Sequence, residues 1–314
     1  MKSRNLWGRR SPVSAVLRHA ILLVWVFIAL FPVAWMVLTS FKDSGDWVSW
    51  PTRWFPFLDF EPTLFNYRQI FQFGGTTATG ELRREYTEQA YNIWKATADS
   101  TLIVTIASVT SLLLGSALAY AISRFGTGGK NYPYTILTIR MVPPIVVAVP
   151  MLIYYTSIPV FFVNVLNMRL EFFDTYYGLI LLYLATTLPY VIWMMLAFID
   201  EVPRELEHAA RIMGAGRFVT IRKVVFPLVA SGMMVTLLFV CILNWSEFLL
   251  ALTLSQPKVL TLPVLLNKFQ SAVEGRLYGP QAAIGTVVTL PVVILGFLIQ
   301  KHLVKGFSFG MIRR

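Results

Sequence analysis

Four polar side chains stand within or beside long apolar stretches of this chain, and a polar group held at membrane depth is costly enough to imply a use. Arg140 is the only charge inside the block 132–168. Asn244, Trp245 and Glu247 lie close together at the end of a later run, with Ser246 and Phe248 beside them. Amide, carboxylate and indole next to one another can offer hydrogen bonds and a stacking face to a hydroxylated solute such as a sugar. The same residues also suit a helix cap packed at an interface, and Arg140 suits either a cavity wall or a side chain reaching for the lipid surface. None of this is catalytic machinery. His19, His208 and His302 sit in separate segments with no metal-ligand spacing. The glycine-rich run 126–131 has Arg124 and Asn131 where a phosphate-binding loop needs Gly and Ser or Thr, so it reads as a turn. Cys241, the one cysteine, lies inside an apolar run without acid or histidine partners and reads as packing. The expectation is no catalytic residue, no metal and no cofactor.

The elements that position these groups are set by composition. Of 314 residues, 56% are hydrophobic and 14% charged, far below the roughly 25% charged of soluble domains. Apolar runs at 20–41, 101–122, 141–168, 176–199, 227–246 and 282–300 each approach or exceed the roughly 20 residues that cross a hydrocarbon core about 30 Å thick. The predicted fold class is therefore an all-α integral membrane protein with six transmembrane helices. The block 132–168 is too long for one straight span. Pro143, Pro144, Pro150 and Pro159 are the expected bends, with its last part along the outer interface. Pro189 and Pro291 are expected to interrupt the fourth and sixth spans.

The formal charge of +11 is unevenly placed. The N-terminal arm, the turn near 124–130, the loop 200–223 and the C-terminus together hold 16 Lys/Arg against 4 Asp/Glu, whereas the segments on the other side hold 10 against 12. By the positive-inside bias, both termini and the 200–223 loop face the cytoplasm. No basic groove for nucleic acid is evident. The basic start and the first apolar run read as an uncleaved signal anchor, because that run is too long for a signal-peptide core. Residues 42–100 are dense in aromatics and proline, which predicts a folded cap at the membrane interface, either a partner surface or interfacial packing.

The loop 202–227, VPRELEHAARIMGAGRFVTIRKVVFP, is the charged exception between two apolar runs. Pro203 can open a helix. Leu206, Ala209, Ala210 and Met213 then share one face, and Arg204, Glu207, His208 and Arg211 the opposite one. Gly214 supplies a left-handed break, and a second short run with Phe218, Ile221, Arg222 and Val225 closes at Pro227. Taken alone, this periodicity fits a helix lying flat in the headgroups equally well.

The loop resembles the EAA loop of bacterial ABC importer permeases. Ala209 and Ala210 match the two alanines, Gly214 and Ala215 the glycine and alanine, and Pro227 the distal proline, while His208 and Met213 replace the usual Glu and Asp. AYAISRF at 119–125, MVP at 141–143, NWSEFLLALT at 244–253, LTLPVLLN at 260–267 and LVKGFSFG at 303–310 extend the likeness to the maltose-type carbohydrate branch. The resemblance implies a type I ABC importer permease fold, with 1–95 as arm, first span and external segment, 96–301 as permease core and 302–314 as cytoplasmic tail. It implies an inner-membrane subunit that pairs with a second permease subunit, a cytoplasmic ATPase dimer and an extracytoplasmic solute-binding protein to import a carbohydrate or polyol. Glu207, His208, Ala209, Ala210, Met213, Gly214 and Ala215 would couple to the ATPase, and Arg140, Asn244, Trp245 and Glu247 would line the substrate path. The competing expectation is an ion-coupled secondary transporter acting alone. It would want inverted repeats and several buried acids, which the sequence does not display.

Overall fold

The computed structural model describes residues 12–71, 93–129, 131–166, 171–255, 258–271 and 275–310. Among these, five helices are long and apolar enough to cross a membrane, and six spans result if one bent pair is a single span. The chain divides into two compact units, residues 1–75 with 269–287, and residues 76–268 with 288–314.

In the first unit, α1 (Pro12–Ser40) is a single long helix. Its exit is tied down by buried polar groups. Asn66, in the short helix α2 (Phe65–Phe71), donates from Nδ2 to the carbonyls of Ser40 (2.9 Å) and Lys42 (2.7 Å). Trp47 Nε1 donates to the same Lys42 carbonyl (3.0 Å). The Lys42 side chain is buried, with Nζ donating to the Arg53 carbonyl at 2.6 Å and lying 4.1 Å from the centre of the Trp35 ring. Of the cap expected over 42–100, the described part from 42 to 71 is folded by these contacts, whereas 93–100, with Trp94, is the first part of the long helix α3 (Ile93–Phe125). Phe73, Tyr86 and Tyr91 lie outside the described residues. A two-residue antiparallel ladder, Gln270–Ser271 with Gly275–Arg276, precedes the first turns of α13 (Tyr278–Gly310).

In the second unit, α3 (Ile93–Phe125) carries small buried residues at 96, 100, 107, 108, 111, 115 and 119, and at 111 and 115 it packs closely on α6 (Tyr176–Asp200). Small side chains let helices approach closely in an apolar solvent. At Gly115 a Cβ would come within 2.5 Å of Val191 Cγ1, so nothing larger fits. Ser111 and Thr187 share a hydrogen bond across the contact at 2.8 Å. The core continues through Leu112, Tyr120, Met195 and Ile199 to Val225, Val229 and Val240.

Among the described residues of the block 132–168, the helical run is interrupted at one place. α4 (Tyr132–Thr138) runs into a 3₁₀ turn (Ile139–Met141), Val142 is extended, and α5 (Pro144–Leu166) then continues unbroken through Pro150 and Pro159. Two adjacent prolines explain the choice, since each disfavours the helical region for the residue before it, and Val142, before Pro143, is the extended one. The expectation for the end of the block falls on 167–170, outside the described residues. α6 and α13 likewise run through Pro189 and Pro291 as continuous helices. Between α6 and α10 (Ala230–Trp245) the chain forms α7 (Arg204–Ile212), then α8 (Arg217–Thr220), a π turn (Ile221–Val225) and α9 (Phe226–Leu228). The run 217–228 meets α10 at 77°, with the break at Val229. The second run therefore does not close at Pro227, as its sequence predicts, but passes one residue beyond it. Pro227 lacks an N–H and crowds the carbonyl four residues earlier, and the π turn just before it absorbs that misfit.

Beyond α10, α11 (Leu249–Leu254) and α12 (Leu262–Asn267) follow. The segment between them is fastened by Asp99 and Ser100 of α3. Asp99 accepts from the Leu260 N–H at 3.0 Å, from Tyr176 at 2.8 Å and from Lys95 at 2.6 Å, and Ser100 Oγ accepts from the Leu262 N–H at 2.8 Å.

Candidate functional site: a clamped elbow

α7 opens one residue later than expected, with Pro203 at its cap position. Its end is a Schellman closure. Gly214 takes φ +85°, its N–H bonds the Arg211 carbonyl at 2.9 Å, and the Ala215 N–H bonds the Ala210 carbonyl at 3.0 Å. The left-handed break at Gly214 is where the sequence puts it.

The rotation of the helix is not. Periodicity groups Leu206, Ala209, Ala210 and Met213 as one apolar face and sets Glu207 among the polar residues opposite. In the structure the buried edge is Glu207 with Ala210, while Leu206, Ala209, Ile212 and Met213 are exposed, Met213 at 82%. The reason is the partner waiting at the end of α3. Glu207, only 2% exposed, accepts from Arg124 Nε on Oε1 (2.6 Å) and from the Tyr120 hydroxyl on Oε2 (2.6 Å). Arg211 NH2 lies 4.0 Å from Oε2, so the acid-first spacing of four on α7 brings them together as expected.

Arg124 does more than neutralise the carboxylate. Its NH2 donates to the carbonyls of Ile199 (3.0 Å), in the last turn of α6, and Val202 (2.8 Å), two residues past its end. Carbonyls at a helix C-terminus lack helical partners and carry partial negative charge, so a guanidinium is well matched there. Ser123 adds a hydroxyl hydrogen bond to Asp200, and Arg204 NH2 donates to the Ser123 carbonyl at 2.8 Å. Arg217 places its guanidinium 5.1 Å from the centre of the Phe125 ring. The last turn of α3 thereby holds the end of α6 and both halves of the elbow.

Tyr120 and Arg124 are the residues that sequence reasoning missed. Their signal was present as an aromatic hydroxyl and a cation four apart at the charged end of a span. Of the seven proposed coupling residues, Glu207 and Ala210 face inward, Ala215 is half-buried, and His208, Ala209, Met213 and Gly214 are exposed.

The four polar path residues are not brought together. Asn244 is buried and donates to Ser108 Oγ at 3.0 Å. Trp245 Nε1 donates to the Val288 carbonyl at 3.0 Å. Glu247 accepts from the Leu250 N–H at 3.0 Å, capping the start of α11. Arg140 lies over the Tyr190 ring, 4.8 Å from its centre, and its Nε has no hydrogen-bond partner among the described residues. Tyr190 stands ten residues before the end of α6, about 15 Å along that helix. No group of three or more His, Cys, Asp or Glu able to hold a metal occurs among the described residues.

Apolar helices long enough to span, joined by a charged elbow, are those of a multi-pass membrane protein. The chain belongs to the family of binding-protein-dependent transport system inner membrane components, whose model matches residues 111–309. A probable ABC transporter permease protein, y4oR of Sinorhizobium fredii, is 33% identical over 92% of each chain. The trehalose/maltose transport system permease protein MalG of Thermococcus litoralis is 27% identical over 95% of this chain and 98% of its own. In fold, the chain is similar to a chain of a bacterial ABC transporter involved in the import of the acidic polysaccharide alginate, with TM-score 0.66, 17% identity, and 94% and 98% of the two chains covered. The family and its fold are those the EAA-like loop implies, and they set aside a stand-alone ion-coupled transporter.

Proposed function

We propose that this chain is one of two permease subunits of an ATP-driven importer for a carbohydrate or polyol. A separate pair of cytoplasmic ATPases docks on the elbow 203–227, and an external solute-binding protein delivers the cargo. The observation that carries this reading is the bare face of α7 and α8. Leu206, Ile212, Met213 and Phe218 are exposed at a segment whose polar side is consumed by its own chain, and apolar side chains gathered at one place mark an interaction site. The excess of basic residues on the elbow side puts the elbow and both termini in the cytoplasm. ATP hydrolysis belongs to the partner, and the relatives named as sugar permeases supply the substrate class.

In mechanism, closure of the ATPases moves α7 with α3 and α6, because Arg124 and Glu207 join the three, and the spans change which side their cavity faces. Such coupling needs two states with different contacts, and the ATPase contributes the difference. Arg140 is the path residue the proposal keeps foremost, since it meets no acid among the described residues and sits beside Tyr190. Asn244, Trp245 and Glu247, proposed from the sequence as path residues, act here by holding the surrounding helices in place.

The test is cross-linking from Met213→Cys in a Cys241→Ala background. Adducts with a nucleotide-hydrolysing subunit, together with uptake that stops when only that subunit's nucleotide site is destroyed, are the expected result. Labelling by lipid alone would sink the proposal. His208→Glu, which restores the acid usual in the EAA pattern, is expected to keep uptake within about twofold, as surface substitutions shift energies by roughly 0.5 kcal/mol or less. Failure of that variant to retain the ATPase on co-purification would count against the alignment.

A further inference from the structure

The loop 54–60 has an unusual combination of features. Trp54 packs against α1 on the rings of Trp35 and Phe31, at centroid distances of 4.6 and 6.0 Å, and Phe31 in turn meets Phe27 at 5.7 Å. Trp35 and Phe31 lie five and nine residues before the end of α1, which puts them about 8 and 13 Å below it at the helical rise. The apolar run from Ala20 needs about 20 residues to cross the hydrocarbon and so ends near Ser40. The loop therefore descends beside α1 to the depth of the outermost part of the span.

At that depth it presents carbon. Phe57 and Leu58 form the tip, 84% and 85% exposed, and Phe55 is exposed beside them. Phe57 has φ +66°, a conformation uncommon for any residue but glycine, and it directs a large apolar side chain outward. The backbone N–H groups are satisfied locally. Trp54 and Phe55 donate their N–H groups to Asp59 Oδ2 at 2.8 and 2.9 Å. Phe57 donates to the Phe60 carbonyl at 2.9 Å, and Leu58 and Asp59 to the Phe55 carbonyl at 3.3 and 2.9 Å. Pro56 has no N–H. Every backbone N–H from 54 to 59 that exists is met inside the loop, which lowers the cost of setting a non-helical segment beside lipid.

We propose that residues 54–60 are a lipid anchor, with Phe55, Phe57 and Leu58 inserted at the boundary between headgroups and acyl chains and Asp59 facing the headgroups. The aromatic ladder on α1 fixes the depth, and aromatic side chains favour this layer. The proposal is independent of the transport function.

The experiment places a nitroxide at Leu58→Cys, at Phe55→Cys and, as a water-facing reference in the same cap, at Gly45→Cys, each in a Cys241→Ala background. The chain, with the subunits that co-purify, is reconstituted into vesicles of phosphatidylcholine and phosphatidylglycerol. Oxygen should collide with the labels at 55 and 58 several-fold more often than a water-soluble nickel complex does, with the order reversed at 45. Nickel access at 58 equal to that at 45 would show a loop in water and overturn the proposal. Exclusion of both probes from 55 and 58 would show a protein partner covering the tip and would overturn it equally. Reconstituted protein that gives the lipid signature but no ATP-dependent uptake would leave the anchor standing and remove the importer reading instead.

Discussion

Glu207→Ala is expected to abolish uptake while the chain still inserts in the membrane. The substitution leaves Arg124 buried, 6% exposed, with its two carbonyl acceptors but no counter-charge, and it strands the Tyr120 hydroxyl. Breaking a buried pair from one side costs about 3 to 5 kcal/mol. That is enough to shift the docked elbow from nearly always seated to mostly released. Arg124→Met should do the same and in addition unfasten the end of α6. Tyr120→Phe removes one hydrogen bond to a charged group, about 1.5 to 3 kcal/mol, and should leave partial uptake. The double exchange Glu207→Arg with Arg124→Glu is expected to fail. A carboxylate at 124 would face the Ile199 and Val202 carbonyls, which need donors. Uptake, membrane content and ATPase co-purification measured on the same membranes check the series. Recovery by the exchanged pair would reduce the network to a simple charge pair and remove the clamp from the argument.

Gly214→Val is expected to lose most uptake for a different reason. A Cβ at 214 would meet no heavy atom within 4 Å, so the cost is wholly in the backbone. At φ +85° a β-branched residue is strained by about 1 to 3 kcal/mol. The relief open to it is a longer α7, which would break the Ala215 to Ala210 bond and swing α8 away. Gly214→Asn, a residue that tolerates the left-handed region, should retain uptake, with Gly214→Ala between the two. Equal uptake by all three variants would show that the turn tolerates any backbone, and the elbow would then not need its present shape.

The legible parts of this molecule are those set by local chemistry. Spans followed from length and apolarity, the Gly214 turn from the one residue that adopts it freely, and the cap between 42 and 71 from its aromatics. Glu207 was hidden because its partners lie 83 and 87 residues earlier in the chain, and periodicity treats every carboxylate as seeking water. The same local view spread the bend of 132–168 over four prolines, although only the adjacent pair at 143–144 ends a helix. At Asn244, Trp245 and Glu247, residue type named the polar groups correctly but could not tell a sugar's hydroxyl from Ser108, a backbone carbonyl or a helix start.

The junction at Val229 has a mechanical consequence. One side of the corner is pinned to two other helices, and the other side passes through a widened turn and a proline before changing direction by 77°. A push delivered to such a part pivots it like a crank instead of driving it inward like a piston. Stiffening the joint would then blunt the stroke even with every grip on the motor intact.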